Sequence, residues 1–186
     1  SPAKEALGAI IATDSYHLPV LVVLVLMSIG LAIKSGLYPF HSWMPDAYGY
    51  STASASAILS GLVSKAYIIL LIKIFYRVVG IDFIVTSEMM NVLFVFGLVG
   101  IIMGSVSAIL EKDIRRMIAF SSVAQIGYIY MGFGLGTEAG MVASLFHILM
   151  HAATKSLLFV SAMGLTDVSG KSRDFFTLTG AAYRNK

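Results

Sequence analysis

Two lysines and two histidines lie inside the apolar stretches of this chain, where titratable groups are rare. Lys155 falls near the middle of 139–165, His147 and His151 precede it by eight and four residues, and Lys65 has an equivalent place in an earlier stretch. An ammonium group at the centre of a bilayer costs ~2.5–3.5 kcal/mol on insertion scales. Titratable groups held at that depth favour the interpretation of an ion or proton pathway.

The residues His147, His151 and Lys155 share one face of a helix. Their spacing of i, i+4 and i+8 covers only ~80° of arc at about 100° per residue. Imidazole titrates near neutrality, and burial disfavours a charged ammonium, so the row predicts a proton relay. A zinc site would need a third ligand, and none lies nearby, so we predict no metal. The remaining alternative is a pair of packing histidines bonded to backbone or serine.

Hydroxyl side chains recur every four residues before Lys65, at Thr52, Ser56, Ser60 and Ser64. Residues spaced in this way form one stripe along a helix. The stripe either hydrates a path to the lysine or simply allows close packing of a neighbouring helix. A lysine can also snorkel or form a static pair, but a depth of ~15 Å makes snorkelling difficult.

A later apolar stretch carries its own polar groups, at Ser121, Ser122, Gln125 and Tyr128. Gln125 and Tyr128 either line the same water path or bond to neighbouring helices. Buried charges usually pair with opposite ones, yet the acidic residues all fall at segment ends or in loops: Glu5, Asp14, Asp46, Asp82, Glu88, Glu111, Asp113, Glu138, Asp167 and Asp174. We therefore expect the carboxylate partners of the lysines to lie outside this sequence, in a larger protein or complex.

The composition excludes an ordinary globular domain. The 186 residues are 58% hydrophobic and 12% charged, with a mean hydropathy of +0.85, whereas soluble domains contain ~25% charged residues. The absence of cysteine rules out Fe–S ligation and disulfides within this sequence. The net charge of +3 comes from residues near helix ends, and no basic run interleaved with aromatics predicts a nucleic-acid partner.

Five apolar segments are about long enough to span ~30 Å of hydrocarbon. They predict an all-α membrane protein, one transmembrane domain over residues 1–186 that is a fragment of a larger fold, with helices at about 18–34, 53–79, 89–110, 114–135 and 139–165. Gly97, Gly100 and Gly104 allow close helix packing in the third segment.

Basic residues concentrate on one face when the segments alternate across the membrane. This face holds Lys34, Lys112, Arg115, Arg116, Lys171, Arg173, Arg184 and Lys186, and the excess predicts that it is cytoplasmic. The connection 35–52 is predicted to be an interfacial turn that contains His41 and Trp43, with Asp46 as a cap or charge partner for the next helix N-terminus.

Three ordered motifs carry a resemblance to a known family. The strings are FHSWMPDA at 40–47, DIRRMIAFSSVAQIGY at 113–128 and HILMHAATKSLLF at 147–159. They resemble the antiporter-like membrane subunits found in respiratory complex I, in Mrp-type sodium/proton antiporters and in membrane-bound nickel–iron hydrogenases. The resemblance implies a fourteen-helix fold of two inverted five-helix repeats, of which this chain covers a part.

The resemblance also implies roles for particular residues. Lys65 is similar to the lysine of the broken helix in the first half-channel, and Lys155 to the central connecting lysine. Arg115, Arg116 and Asp113 match the charged loop between the repeats. The glutamate that pairs with the half-channel lysine in the family belongs to an earlier helix that this sequence lacks.

The predicted function is therefore translocation of protons, or exchange of sodium against protons, by a non-catalytic subunit of an NADH-quinone oxidoreductase, a hydrogenase or a cation/proton antiporter. The alternative is a structural membrane subunit that moves no ion. Expected partners are the lipid bilayer, other antiporter-like and small hydrophobic subunits and, in redox members, an Fe–S/NiFe or NADH-oxidising peripheral arm. We predict no cofactor in this chain and a multi-pass location in a prokaryotic cell membrane.

Overall fold

The computed structural model describes residues 2–11 and 14–184, and these are almost entirely helical. The helices are α1 (Pro2–Ile11), α2 (Asp14–Ser35), α3 (Trp43–Tyr50), α4 (Ala53–Val79), α5 (Ile81–Thr86), α6 (Met89–Leu110), α7 (Ile114–Gly134), α8 (Glu138–Val168), α9 (Phe175–Leu178) and α10 (Ala181–Arg184). Helix α4 contains two π-helical segments, Leu59–Val63 and Ile74–Val79.

Five of these helices are long and apolar enough to cross a membrane: α2 from Leu18, α4, α6, α7 and α8. The predicted all-α membrane class is confirmed. Helix α7 lies at the centre of the described bundle, since 67% of its membrane-spanning window is buried against 22% for α2 and for α6. Helices α3, α6 and α8 pack around α7, and α4 packs on α8 and α2.

Helices α6 and α7 touch through their backbones. A Cβ at Gly97 would lie 2.5 Å from the Met131 amide nitrogen, and one at Gly104 would lie 2.6 Å from that of Ala124. The contact is reciprocal, because a Cβ at Gly127 would lie 2.6 Å from the Gly97 carbonyl oxygen. No side chain larger than hydrogen fits at these crossings, so small residues set the spacing of this pair.

Helix α2 ends at the middle of the bundle and not at its edge. The Ser35 hydroxyl lies 2.9 Å from that of Tyr130, four residues before the end of α7. The following turn places Tyr38 against Gly100, which lies midway along α6. Helix α3 then continues to the level of Arg115, at the start of α7. Together α2 and α3 form one interrupted crossing.

The predicted interfacial turn at 35–52 is therefore wrong in its second half, where α3 forms. Ser42 precedes this helix, and Pro45 lies in its first turn, where a missing amide hydrogen does no harm. Asp46 does not cap α4, because it lies within the first turn of α3 and pairs with Arg116. The cap of α4 is Thr52, whose hydroxyl accepts from the Ala55 amide at 3.3 Å.

Candidate functional site

Lys65 lies on α4 immediately after its first π turn, and only 3% of the residue is exposed. The Ser64 amide closes that turn by donating to the Leu59 carbonyl. The Lys65 ammonium donates to the Ser60 carbonyl within the same turn. Single π turns inside α-helices occur often at functional sites, because the extra residue offsets the backbone ladder and re-aims the groups that follow. Lys65 is therefore positioned by a local irregularity of its own helix.

The hydroxyl stripe of α4 points into the bundle, with Ser56, Ser60 and Ser64 all buried. Ser64 lies 2.8 Å from the Tyr48 hydroxyl of α3, and Ser60 lies 3.4 Å from the Ser122 hydroxyl of α7. These bonds join α4 to two neighbouring helices on the side that carries Lys65. The stripe supplies polar partners beside the lysine and close helix contacts in the same place.

Lys155 lies on α8 and is likewise only 3% exposed. Its ammonium donates to the Ile118 carbonyl at 3.1 Å and to the Ser121 hydroxyl, both on α7. The Ile118 carbonyl also accepts from the hydroxyls of Ser121 and Ser122, at 2.9 and 3.0 Å. Within the part of the chain that the structure describes, the ion pairs involve other residues, and neither Lys65 nor Lys155 has a carboxylate partner.

His151 connects the two lysines electrostatically. The residue is 3% exposed, and neither of its ring nitrogens has a hydrogen-bond partner among the described residues. The charges of both Lys65 and Lys155 act on it, and so does that of His147, whose ring lies 6.2 Å away. The packing alternative, a histidine bonded to backbone or serine, does not describe His151. The structure thus brings together the four residues that the sequence singled out.

Gln125 and Tyr128 extend this site along α7. The Tyr128 ring lies 5.8 Å from that of His147, and Lys155 bonds to Ser121. Since α7 and α8 are antiparallel, these two contacts fix their register, and Gln125 lies level with His151 between them. The three α7 residues are spaced i, i+4 and i+7, which places them on one helix face.

Asp46, Asp113, Arg115 and Arg116 form a second, charged cluster at the start of α7. Arg116 pairs with Glu111 at 3.0 Å and with Asp46, and Arg173 pairs with Asp113 at 3.4 Å. Asp113 also caps α7 by accepting from the amides of Arg115 and Arg116, at 2.8 and 3.2 Å. Arg115 donates to the Ser51 carbonyl and, at 3.2 Å, to the Ser56 hydroxyl.

His41 belongs to neither cluster and lies in the turn between α2 and α3. Its ring stacks on Tyr38 at 5.2 Å and meets the edge of Phe120 at 6.3 Å. Its Nδ1 atom is buried without a hydrogen-bond partner among the described residues. His41 therefore packs between the turn that follows α2 and the Phe120 ring of α7.

Lys34 is the functional candidate that the sequence reasoning missed. The sequence pattern predicts that it lies at a membrane face with the other basic residues, but it lies one residue before the end of α2 and four before Tyr38, which packs against Gly100 midway along α6. It is exposed on the outside of the described bundle, while its neighbour Ser35 is fully buried. Lys65, predicted to be on a broken helix, lies on a continuous one, and the interruption follows Lys34. Of the basic face, the Arg184 side chain and Lys186 lie outside the described part.

Solved structures with similar architecture are subunits of membrane complexes. The chain superposes with a TM-score of 0.76 on a chain of the Mrp complex from Dietzia sp., at 32% identity over 89% of this chain and 29% of that one. It superposes with a TM-score of 0.70 on a chain of the membrane-bound sulfane sulfur reductase, an archaeal respiratory membrane complex, at 29% identity over 80% of this chain and 30% of the other.

Curated relatives point to the same group. The chain is 38% identical to NADH-quinone oxidoreductase subunit N of Desulforudis audaxviator over 83% of its own length and 30% of the relative's. It is 33% identical to chloroplastic NAD(P)H-quinone oxidoreductase subunit 5 of Nuphar advena, over 74% of its own length and 17% of that protein's. The chain thus spans less than a third of the length of either relative.

The family model described as NADH:quinone oxidoreductase/Mrp antiporter, TM, matches residues 6–185. The match covers nearly the whole chain and includes all three motifs on which the resemblance was based. Five helices suited to crossing a membrane agree with it. The chain is therefore part of an integral membrane, antiporter-like subunit and belongs to the NADH:quinone oxidoreductase/Mrp antiporter transmembrane family.

Proposed function

We propose that this chain forms the central part of a subunit that transfers protons across a membrane, or exchanges sodium for protons, through Lys65, His151 and Lys155. One observation carries the proposal. Two lysines are buried in the bundle, each bonded to backbone carbonyl or hydroxyl oxygens, and His151, on which both of their charges act, has no hydrogen-bond partner among the described residues. The remaining helices of the subunit lie outside this sequence.

The chemical basis is the absence of a fixed counter-charge among the described residues. A carboxylate next to a buried ammonium holds the positive charge in place, because removing either partner leaves an uncompensated charge. Carbonyl and hydroxyl dipoles stabilise the charge less, while burial favours the neutral amine. A lysine in these surroundings can exchange a proton during a transport cycle.

Lys65 and Lys155 carry like charges when both are protonated. Because the charge of Lys155 acts on Lys65, protonation of Lys155 favours release of a proton from Lys65. The neutral imidazole of His151 accepts a proton at one nitrogen and gives one up at the other. In this proposal His147, Gln125 and Tyr128 extend the path along α8 and α7, and the hydroxyls of Ser60 and Ser64 line it beside Lys65.

Lys34 adds a third group to the proposed path. It lies at the same depth as the interruption after Ser35 and is exposed toward the outside of the described helices. An exposed lysine at mid-membrane depth needs a neighbouring helix to shield or pair it. We infer that a carboxylate on a helix beyond this sequence is its partner, and that residues 1–186 act as one transmembrane domain with that helix.

The assembly proposed for the subunit follows its relatives, which are parts of multisubunit complexes. We propose that the full protein contacts other antiporter-like and small hydrophobic subunits in a prokaryotic cell membrane. In a redox-driven complex a peripheral arm would supply the driving force. In an antiporter, ion gradients would supply it.

The test uses the full-length protein in its native complex, with Lys65→Ala and Lys155→Ala made separately. Proton flux into sealed vesicles, followed with a pH-sensitive dye, should fall by about 100-fold in each, the range typical of groups that transfer protons. The matched control is Lys73→Ala, which removes an exposed lysine from the same helix as Lys65.

Assembly of each variant is checked by native electrophoresis of the solubilised complex. Unchanged proton flux in an assembled Lys155→Ala complex would contradict the relay. That result would favour the alternative of a structural subunit that moves no ion.

A further inference from the structure

Tyr48 on α3 is one of the most deeply buried aromatic residues of the chain, at 1% exposure. Its hydroxyl lies 2.8 Å from the Ser64 hydroxyl and donates to the Leu59 carbonyl at 3.3 Å. A buried tyrosine needs a polar partner for its hydroxyl. Here both partners belong to a single feature, the π turn that precedes Lys65.

The two partners are the ends of that turn. The Leu59 carbonyl accepts from the Ser64 amide, which closes the turn, and from the Ser64 hydroxyl at 3.3 Å. The Lys65 ammonium donates to the Ser60 carbonyl, one residue inside the same turn. A π turn has poorer backbone geometry than an α-helix and is stable only where surrounding contacts favour it. The Tyr48 hydroxyl supplies such a contact from another helix.

The ring and the backbone carbonyl of Tyr48 also have partners on neighbouring elements. Its ring meets that of Phe159 edge-on at 5.9 Å, on α8 one turn beyond Lys155, and that of Trp43 at 6.0 Å. Its backbone carbonyl accepts from the Ser56 hydroxyl at 2.7 Å. Tyr48 thus lies between the two helices that carry the buried lysines, on the segment that follows the interruption after α2.

We propose that Tyr48 is a positioning residue for the proton step at Lys65. Its hydroxyl holds the π turn of α4 in the arrangement that directs the Lys65 ammonium to the Ser60 carbonyl. Movement of α3 relative to α4 would release the turn and re-aim the lysine. This role rests on the proposed function of Lys65 and adds to it the element that controls the lysine's geometry.

The test compares Tyr48→Phe, Ser64→Ala and the double variant in the full-length protein within its complex. Tyr48→Phe keeps the ring contacts with Phe159 and Trp43 and removes only the hydroxyl. The matched control is Tyr76→Phe, which removes the same atom at the second π turn, ~16 Å along α4 from Lys65. Two readouts are used: hydrogen exchange of the backbone at 59–65 and the pH profile of proton flux.

Tyr48→Phe should accelerate exchange at 59–65 by roughly 5-fold, the effect of losing one buried hydrogen bond, while Tyr76→Phe leaves that segment unchanged. Flux should fall by about 5-fold or more, and the pH of half-maximal flux should move by roughly 0.5 to 1. A protein that is merely destabilised would lose flux equally at every pH. The double variant should lose less than the sum of the two single losses, because both substitutions remove the Tyr48–Ser64 bond, while each also removes its own contact with the Leu59 carbonyl.

Unchanged exchange at 59–65 in Tyr48→Phe would overturn the proposal, and so would faster exchange with a wild-type flux and pH profile. Additive losses in the double variant would show that Tyr48 and Ser64 act separately, which also contradicts it. The exchange measurement does not depend on transport. If Lys65→Ala conducts normally while exchange still responds to Tyr48→Phe, the proposed function fails at Lys65, and the positioning of a proton step fails with it.

Discussion

The chain contains two groups of buried or half-buried cations, and they differ in the kind of partner that each cation has. At the start of α7, Arg116 and Arg173 have carboxylate partners in Asp46, Glu111 and Asp113. At the centre of the bundle, Lys65 and Lys155 have only carbonyl and hydroxyl oxygens among the described residues.

The difference separates cations that stabilise the structure from cations whose protonation state can change. Arginine keeps its proton under all ordinary conditions, and its carboxylate partners tie α3, α7 and the segment before α9 together. Lysine exchanges its proton more readily when it is buried. A buried lysine without a carboxylate partner among the described residues is unfavourable for stability, which supports the proposed role of Lys65 and Lys155 in transport.

The largest effect is expected when the central site is made to resemble the charged cluster. Ser121→Asp places a carboxylate next to the Lys155 ammonium, which already donates to the residue 121 hydroxyl. A carboxylate at that distance shifts the protonation equilibrium of an ammonium toward the charged form by a factor of roughly 10 to 1,000. Proton flux in sealed vesicles should fall by the same order.

The control for this variant is Ser121→Asn, which has nearly the same shape and no charge. It should retain most of the flux. Equal losses in the aspartate and asparagine variants would mean that size, not charge, disturbs the site, and that the absence of a carboxylate has no functional meaning.

A smaller effect is expected when the charged cluster loses its central carboxylate. Asp113→Ala removes the cap of α7 and the Arg173 pair together. It should lower the free energy of unfolding by about 1–2 kcal/mol, mainly through the cap, measured by denaturant unfolding of the purified protein. Flux per assembled complex should fall far less than in the lysine variants.

Asp113→Asn separates the contribution of the cap from that of the ion pair, because asparagine also caps helices but carries no charge. It should recover most of the lost stability and leave only the small contribution of the ion pair. Asp82→Ala is the matched control at an exposed helix start and should change stability by less than about 0.5 kcal/mol. A loss in Asp113→Asn as large as that in Asp113→Ala would show that the charge, not the cap, matters.

The smallest effect concerns the acid stability of the charged cluster. Burial alone would raise the pKa of Glu111, but hydrogen bonds from the Arg116 guanidinium and from the amides of Asp113 and Lys112 outweigh it and lower that pKa. Because the folded-state pKa is the lower one, Glu111 stabilises the fold above the unfolded-state value of ~4.3 and loses this contribution as the pH falls through the folded-state pKa.

The contribution should be at most ~1 kcal/mol, as for other partly exposed pairs. Unfolding of the wild type and of Glu111→Gln is measured at pH 7 and at about pH 4. The wild type should lose more stability on acidification than the variant. An identical loss in both proteins would exclude Glu111 as an acid-sensitive contact.

The five crossings could be read from the sequence because length and apolar composition are local properties. The alignment of His147, His151 and Lys155 on one face is equally local, since it follows from helical periodicity. Family membership was also within reach, because three motifs with ordered spacing are specific, and it is confirmed.

The depth of Lys34 could not be read in the same way. A basic residue at the end of an apolar run usually marks a membrane boundary, and only tertiary contacts such as that of Tyr38 with Gly100, midway along α6, show otherwise. One signal was present: the apolar run 18–33 is shorter than the ~20 residues that a full crossing needs. A short run followed by a proline suited to a first helical turn agrees with a crossing that is interrupted and then continued by α3.

The π turn before Lys65 leaves no mark in the sequence, and the Tyr48 hydroxyl that contacts both of its ends comes from another helix. Of the close contacts between α6 and α7, the spacing of Gly97 and Gly104 was visible, but the reciprocal Gly127 was not singled out. Interlocking residues on two helices become apparent only when their register is known.

The backbone contact of α6 with α7 has a mechanical consequence. Because Gly97, Gly104 and Gly127 leave no room for side chains that could slide or change rotamer, we expect α6 and α7 to keep a fixed spacing. Helices α4 and α8, which carry the buried lysines, are joined to α7 by serine hydroxyls and a lysine ammonium, which are contacts that can break and re-form. A rearrangement of the two lysine-bearing helices would therefore leave the α6–α7 pair in place.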